Sequence, residues 1–287
     1  MNSISKITLP GGASAPDFSH GSIYFIGTAT VIIRYAGFTI LTDPNFIHRH
    51  EKVDLGGGIQ ATRQTDPAME IGDLPPIDLI VLSHFHGDHF DRVAIAELNK
   101  SIPIVTTPHA GKELRERGFL VITELDPWTT VTFFKGGARL NITATPGRHG
   151  PPVTSFVLPD VMGSILDFWV GEEERETITD RRLRMYITGD TLVYNDIKEI
   201  PQRFPGVDLA LLHLGGTKVM GILLTMDADQ GMEMMKIIQP KTAIPIHYND
   251  YDVFKSPIED FRQAVHAAGL GTKVKFLNHG DTFEFKV

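Results

Sequence analysis

Ile80-Val81-Leu82-Ser83-His84-Phe85-His86-Gly87-Asp88-His89-Phe90 is the stretch that decides the fold. Residues 80–82 are aliphatic and largely β-branched, which reads as a short buried strand. Three imidazoles and one carboxylate follow within six residues. The pattern His-x-His-x-Asp-His arises by chance on the order of once in a thousand chains of this composition, so a solvated polar turn is a poor account of it. Alternate residues of extended backbone point the same way, which lets His84 and His86 grip one metal ion. Where the chain turns towards a helix, Asp88 and His89 face a second. Imidazole together with carboxylate suits Zn²⁺, Mn²⁺ or Fe²⁺.

Before this motif the chain reads as a β meander, with strands over residues 23–26, 30–35 and 38–42 and turns at Gly27 and Gly37. Residues 44–76 are rich in Gly, Asp and Pro and show neither period. A loop of that length serves as a lid or binding loop, or else is a disordered excursion. After the motif, Asp91 is placed to N-cap a helix over residues 91–100. Further elements are a strand at 104–106, a helix around 112–117, and strands at 120–125, 130–134 and 139–145.

The second half repeats the theme, with strands at 155–158, 164–170 and 183–188 and a charged hairpin tip at 172–182. Helices at 196–204, 229–238 and 258–268 alternate with strands at 209–214 and 243–247, and a pair of strands closes the chain. The methionines Met232, Met234 and Met235 read as core packing. Sheet-rich runs with helices between them predict an α/β protein with two sheets back to back and helices on both outer faces. No linker interrupts the sequence, so a single domain over residues 1–287, with a loop insertion at about 44–76, is expected.

Composition removes several classes of function. A net charge of −8 with no Lys/Arg-rich run disfavours nucleic acid as a partner. The absence of cysteine excludes disulfides, thiolate nucleophiles and zinc sites built on sulfur. Residues 1–16 carry one Lys and no apolar core of a signal peptide, and no apolar run approaches the ~20 residues that span a bilayer. The expectation is a soluble, cytoplasmic protein without a membrane partner, acting on a small molecule, with a homo-oligomer left open.

Two metals need more ligands than one motif supplies, and strand ends are where to seek them. His149 follows a strand in Pro146-Gly147-Arg148-His149-Gly150, Asp190 follows Tyr186-Ile187-Thr188-Gly189, and His247 follows Ile244-Pro245-Ile246. Each alone is as well read as a cap or a satisfied polar group.

Taken in order with the first motif, these residues make the chain resemble the metallo-β-lactamase-fold superfamily over roughly residues 23–287. That resemblance implies a four-layer αββα sandwich. It also implies that His84, His86 and His149 hold one metal, that Asp88, His89 and His247 hold the other, and that Asp190 bridges both. Thr42-Asp43-Pro44 is similar to the turn in the branch with ascorbate-6-phosphate lactonase and N-acyl-phosphatidylethanolamine phospholipase D. This implies that Asp43 orients a ligand histidine, against the plainer reading of an Asp-Pro turn.

Other residues are open to two readings. His213 ends a strand aimed at the site and is either a substrate contact or a hydrogen-bonded core histidine. His48, in the early loop, is within reach of the pocket, and Arg148 is either a partner for an anionic substrate group or a solvated turn residue.

The chemistry implied is that of a dinuclear metal-dependent hydrolase. A metal-bridging hydroxide would attack a small soluble ester, lactone or phosphodiester, with Asp190 fixing the geometry and Asp88 moving a proton. Two divalent ions are expected, zinc first, with manganese or iron as alternatives. An iron-dependent redox enzyme of the same fold, an RNA-cleaving nuclease and a non-catalytic metal-binding scaffold are the competing readings. A phospholipase is disfavoured because no basic amphipathic helix is visible for docking on a bilayer.

Overall fold

Residues 5–12, 15–56, 58–152, 158–171 and 180–287 are described by the structure, a computed structural model. The chain begins with β1 (Ser5–Thr8), β2 (His20–Gly27), β3 (Thr30–Tyr35) and β4 (Phe38–Thr42). A hairpin of β5 (Lys52–Asp54) and β6 (Gln60–Thr62) precedes β7 (Leu79–Val81). Next come α1 (Arg92–Glu97), β8 (Ile104–Thr106), α2 (Pro108–Glu116) and β9 (Ile122–Glu124). The long strands β10 (Thr130–Lys135), β11 (Ala138–Pro146), β12 (Met162–Val170) and β13 (Arg181–Ile187) follow. The chain continues with α3 (Glu199–Arg203), β14 (Leu209–His213) and a second hairpin of β15 (Lys218–Val219) and β16 (Ile222–Leu223). It closes with α4 (Ala228–Ile238), β17 (Thr242–Ile246), α5 (Ile258–Ala267) and β18 (Thr282–Lys286).

Two mixed seven-stranded sheets result, ordered β18-β2-β3-β4-β7-β8-β9 and β1-β10-β11-β12-β13-β14-β17. Side-chain alternation sorts the layers. Val31, Ile33, Ile40, Leu79, Val81 and Val105 pack into one core with Val131, Phe133, Leu140 and Ile142 of the other sheet. Their neighbours Ile32, Leu41, Ile80 and Ile104 point the opposite way, onto Ala94 of α1 and Ala110 and Leu114 of α2. Ile200 of α3, Met234 and Met235 of α4 and Phe261 of α5 join the first core. Helices therefore cover both outer faces, as the sequence predicts, and the methionines are core.

Strands β4 and β7 run parallel, as do β13, β14 and β17, so their C-terminal ends collect along one edge of the sandwich. That edge carries the polar residues singled out above.

Several elements differ from the sequence reading. In the described part of the insertion, β5 and β6 form a hairpin whose Val53, Leu55 and Ala61 build a small core with Ile47 and Tyr251. The aliphatic residues that do this are single and separated by Gly and charge, so no period betrays them. The closing strand pair reduces to β18, because Val274 makes only an isolated bridge to Ala243. The helix after the motif ends at Glu97, where Leu98 is already extended. The expected strand at 155–158 and the hairpin tip at 172–182 lie outside the described residues except for their last positions. Among the described residues no helix is long and apolar enough to cross a membrane.

Asp91 shows how the insertion is tied to the motif. Its carboxylate accepts the Ala94 N–H of α1 at 2.8 Å as an N-cap and also accepts the backbone N–H groups of Phe46 and Ile47 and the Asn45 amide. All of these groups are buried, and a buried donor left without its acceptor costs about 1–3 kcal/mol. Asp91→Ala is therefore expected to lower unfolding stability by roughly 2–4 kcal/mol. The denaturation midpoint, read at unchanged slope, measures this; a shift near zero would mean the loop is anchored elsewhere.

Candidate metal centre

Three groups of side chains, drawn from six strand ends, converge at that edge: His84, His86 and His149; Asp88, His89, Asp190 and His247; and Asp43, His89 and His213. Within each group the ligand atoms lie within 4.8 Å of one another. All of these residues are buried. Local backbone explains the convergence. Asp43 and His247, directly after β4 and β17, adopt left-handed φ values of 34° and 60°, which swing the chain out of the strand direction. Gly189, at φ 63°, lets the turn before Asp190 pass so near the Met162 carbonyl that a Cβ would lie 2.5 Å from its oxygen.

Hydrogen bonds select the ring nitrogen that each histidine presents. Leu214 O lies 3.1 Å from His247 Nδ1, and Leu224 O lies 3.0 Å from His149 Nδ1. A carbonyl accepts only, so Nδ1 carries the proton in both rings and Nε2 keeps its lone pair. Asp43 Oδ1, 3.3 Å from His89 Nδ1, imposes the same tautomer there. Ser83 donates its hydroxyl and its backbone N–H to Asp43 Oδ1, both at 2.8 Å, and its oxygen lies 3.0 Å from His84 Nδ1. One carboxylate thus orients two rings.

The consequence is a set of lone pairs facing inward. His89 Nε2 and His247 Nε2 are 3.1 Å apart, with Asp190 Oδ2 at 3.3 and 3.5 Å and Asp88 Oδ2 at 3.9 and 3.4 Å. His84 Nε2 and His86 Nδ1 are 3.0 Å apart. Two acceptors at such distances repel unless a proton or a metal cation lies between them. Asp88 Oδ1 and Asp190 Oδ1 are buried with no hydrogen-bond partner, although a buried carboxylate oxygen normally has one. The residues present therefore fit divalent metal ions by donor type, burial and spacing.

Electrostatics agrees. Burial opposes charge on His84 and holds it well below the ordinary imidazole range, and burial with the neighbouring His149 takes His86 to about 3. These rings are neutral and need lose no proton to bind a metal. Burial also opposes charge on His89 and His247, yet the Asp190 and Asp88 carboxylates raise both. Burial would raise Asp190, but His247 and His89 push it well below the ordinary range. The carboxylates thus favour positive charge at this point, carried by a proton on His89 or His247 or by a metal ion that displaces it. Asp43 behaves likewise: burial raises it, and His213 and His89 bring it to about 2.

His213 lies in this layer too. Its Nδ1 is 3.2 Å from Thr188 Oγ1 and its Nε2 is 3.6 Å from Asp43 Oδ2, so it steadies the far side of Asp43. His48 does not join the cluster: its half-exposed ring lies between Asp66 and Glu70, at 3.5 and 3.1 Å, because the loop's own carboxylates hold it. Arg148 lays its guanidinium on the Tyr194 ring at 3.9 Å, a stacking that takes it away from the recess above the cluster. Sequence reasoning missed Ser83 as an orienting group and Thr225, whose hydroxyl donates to Asp190 Oδ2 at 3.1 Å. Ser83 was visible inside the motif. Thr225 is reached only through the fold.

Asp43→Asn would keep the side chain's size but replace one carboxylate oxygen with a donor facing His89 or His213. Metal affinity is expected to fall roughly 10–100-fold, measured by competition with a chromophoric chelator. An unchanged affinity would show that Asp43 does not orient the rings.

Residues 39–248, which contain every residue of the cluster, match the family described as the beta-lactamase superfamily domain. A metal-dependent hydrolase of Archaeoglobus fulgidus is 32% identical over 212 residues, covering 72% of this chain and 82% of that relative. An N-acyl-phosphatidylethanolamine-hydrolyzing phospholipase D of Caenorhabditis elegans is 27% identical over 261 residues, covering 85% and 69%. The isothiocyanate hydrolase from Delia radicum gut bacteria superposes with a TM-score of 0.78 at 22% identity, covering 93% of this chain and all of the other, a likeness of fold.

Proposed function

The chain belongs to the metallo-β-lactamase superfamily of metal-dependent hydrolases, and on that premise we propose that it binds two divalent metal ions and hydrolyses a small ester, lactone or phosphodiester. The observation that carries this reading is the pairing of His89 Nε2 with His247 Nε2 at 3.1 Å beside Asp190. His84, His86 and His149 would hold one ion, and Asp88, His89 and His247 the other, with Asp190 between them. Zinc fits these ligands first, and manganese or iron are the alternatives. When bound, such ions acidify water and polarise a carbonyl or phosphoryl oxygen.

The chain's own residues do the rest. Thr225 and His89 hold Asp190 by its Oδ2 and leave its Oδ1 without a hydrogen-bond partner. Asp88 is held by Oδ2 near His247, so its unpartnered Oδ1 is free to accept a proton from the attacking water and deliver it to the leaving group. Burial of the cluster excludes bulk water and strengthens each of these interactions. The protein is read as a single soluble cytoplasmic domain serving a small-molecule substrate, with no nucleic-acid or membrane partner.

His86→Ala and Asp190→Ala are each expected to abolish turnover of a chromogenic ester while the fold, followed by circular dichroism, persists. Chelation should do the same, and adding back zinc or manganese should restore it. Full activity in either variant would refute the assignment. Iron as the bound metal, with oxygen-dependent turnover, would point to the redox alternative.

A further inference from the structure

Arg63, directly after β6 in the insertion, is fully buried, as are Thr28, Asn45 and Asp250 around it. Its guanidinium works in two directions. Nη1 donates to Asn45 Oδ1, and Nε donates to the Thr65 carbonyl at 3.1 Å. Nη2 has no partner among the described residues, so these two donors carry the polar contacts. The centroid of the Tyr251 ring lies 5.4 Å from the guanidinium carbon.

The first direction leads to the motif. Asn45 follows Asp43 by two residues, and its amide nitrogen donates to the Gly87 carbonyl, between His86 and Asp88, and to Asp91 Oδ2, both at 3.1 Å. The second leads to His247. The Thr65 hydroxyl donates to Asp250 Oδ1, Asp250 Oδ2 accepts the Thr28 N–H at 2.6 Å, and the Thr28 carbonyl accepts the His247 N–H. One planar group therefore ties the backbone beside Asp88 and His89 to the backbone of His247. Burial disfavours charge on Asp91 and on Asp250, and the Arg63 guanidinium opposes that in both.

Seating the hairpin does not require a cation. Val53, Leu55 and Ala61 already pack with Ile47 and Tyr251, and burying a guanidinium costs more than burying hydrocarbon of the same volume. What hydrocarbon cannot do is donate in two directions at a fixed angle. We propose that Arg63 is a positioning residue for the ion held by Asp88, His89 and His247. Its fork sets the separation between the motif and His247, and its loss weakens that ion's binding while sparing the ion held by His84, His86 and His149. The inference rests on the two-metal reading above and adds a role for the insertion that carries Arg63.

The test is a cobalt(II) titration of the metal-free protein, followed by visible absorption and calorimetry. The wild type should bind two ions per chain. Arg63→Met, which replaces the fork with hydrocarbon, should keep one site at wild-type affinity and weaken the other roughly 10–100-fold, with the Tm of the metal-free protein little changed. Arg63→Lys keeps the charge and loses the fork, so it should behave as Arg63→Met does. With one ion bound, the spectrum of Arg63→Met should match that of His247→Ala; a match to His84→Ala would place the effect at the wrong site and sink the idea. Should the Arg63 variants misfold, Thr65→Val cuts the arm to His247 alone and should weaken the same site roughly three- to tenfold. Equal loss at both sites, unchanged binding, or recovery by lysine would overturn the proposal. A wild type that binds fewer than two cobalt ions would refute the two-metal reading, and this inference with it.

Discussion

His89 Nε2 and His247 Nε2 point their lone pairs at each other across 3.1 Å in a site with no exposed residue, an arrangement that only positive charge makes favourable. The fold around it works to keep that confrontation in place. Leu214 O and Asp43 occupy the opposite nitrogen of each ring, so neither imidazole can relieve the repulsion by changing tautomer. The two carboxylates alongside, Asp88 and Asp190, add the negative charge that a divalent pair would neutralise.

Such crowding needs a rigid frame, and two seven-stranded sheets provide one. Parallel pairing of β4 with β7, and of β13 with β14 and β17, brings strand ends from both sheets to one edge, and the shared core locks them there. Asp43 links the halves directly: it leaves β4 in one sheet and steadies His213 at the end of β14 in the other. The hairpins β5–β6 and β15–β16 then form the apolar wall above the cluster, and Leu224 joins the two tasks, lining the recess with its side chain and orienting His149 with its carbonyl.

Much of this was legible in the chain. The strand before the motif, the alternation in β3 and β4 and the N-cap at Asp91 are local features, governed by residues within a few positions of one another. What the chain did not show depends on partners distant in sequence. The hairpin β5–β6 is stabilised by Tyr251, almost two hundred residues away, and so had no period to read. His48 was within sequence reach of the site, but neighbouring carboxylates captured it. Arg148 was drawn to Tyr194 for the same reason, a nearby partner that spacing cannot rank.

The sequence by itself determined the donor chemistry: imidazole and carboxylate with no thiolate, clustered on one motif and repeated at three further strand ends. It also determined the layered α/β architecture, because alternation and period are written residue by residue. Only the tertiary structure decided which nitrogen of each ring faces inward, since the partners are backbone carbonyls and a distant aspartate. It alone revealed the buried guanidinium of Arg63 and the polar groups it holds, because burial and partners from distant segments belong to the packed molecule and to no single stretch of chain.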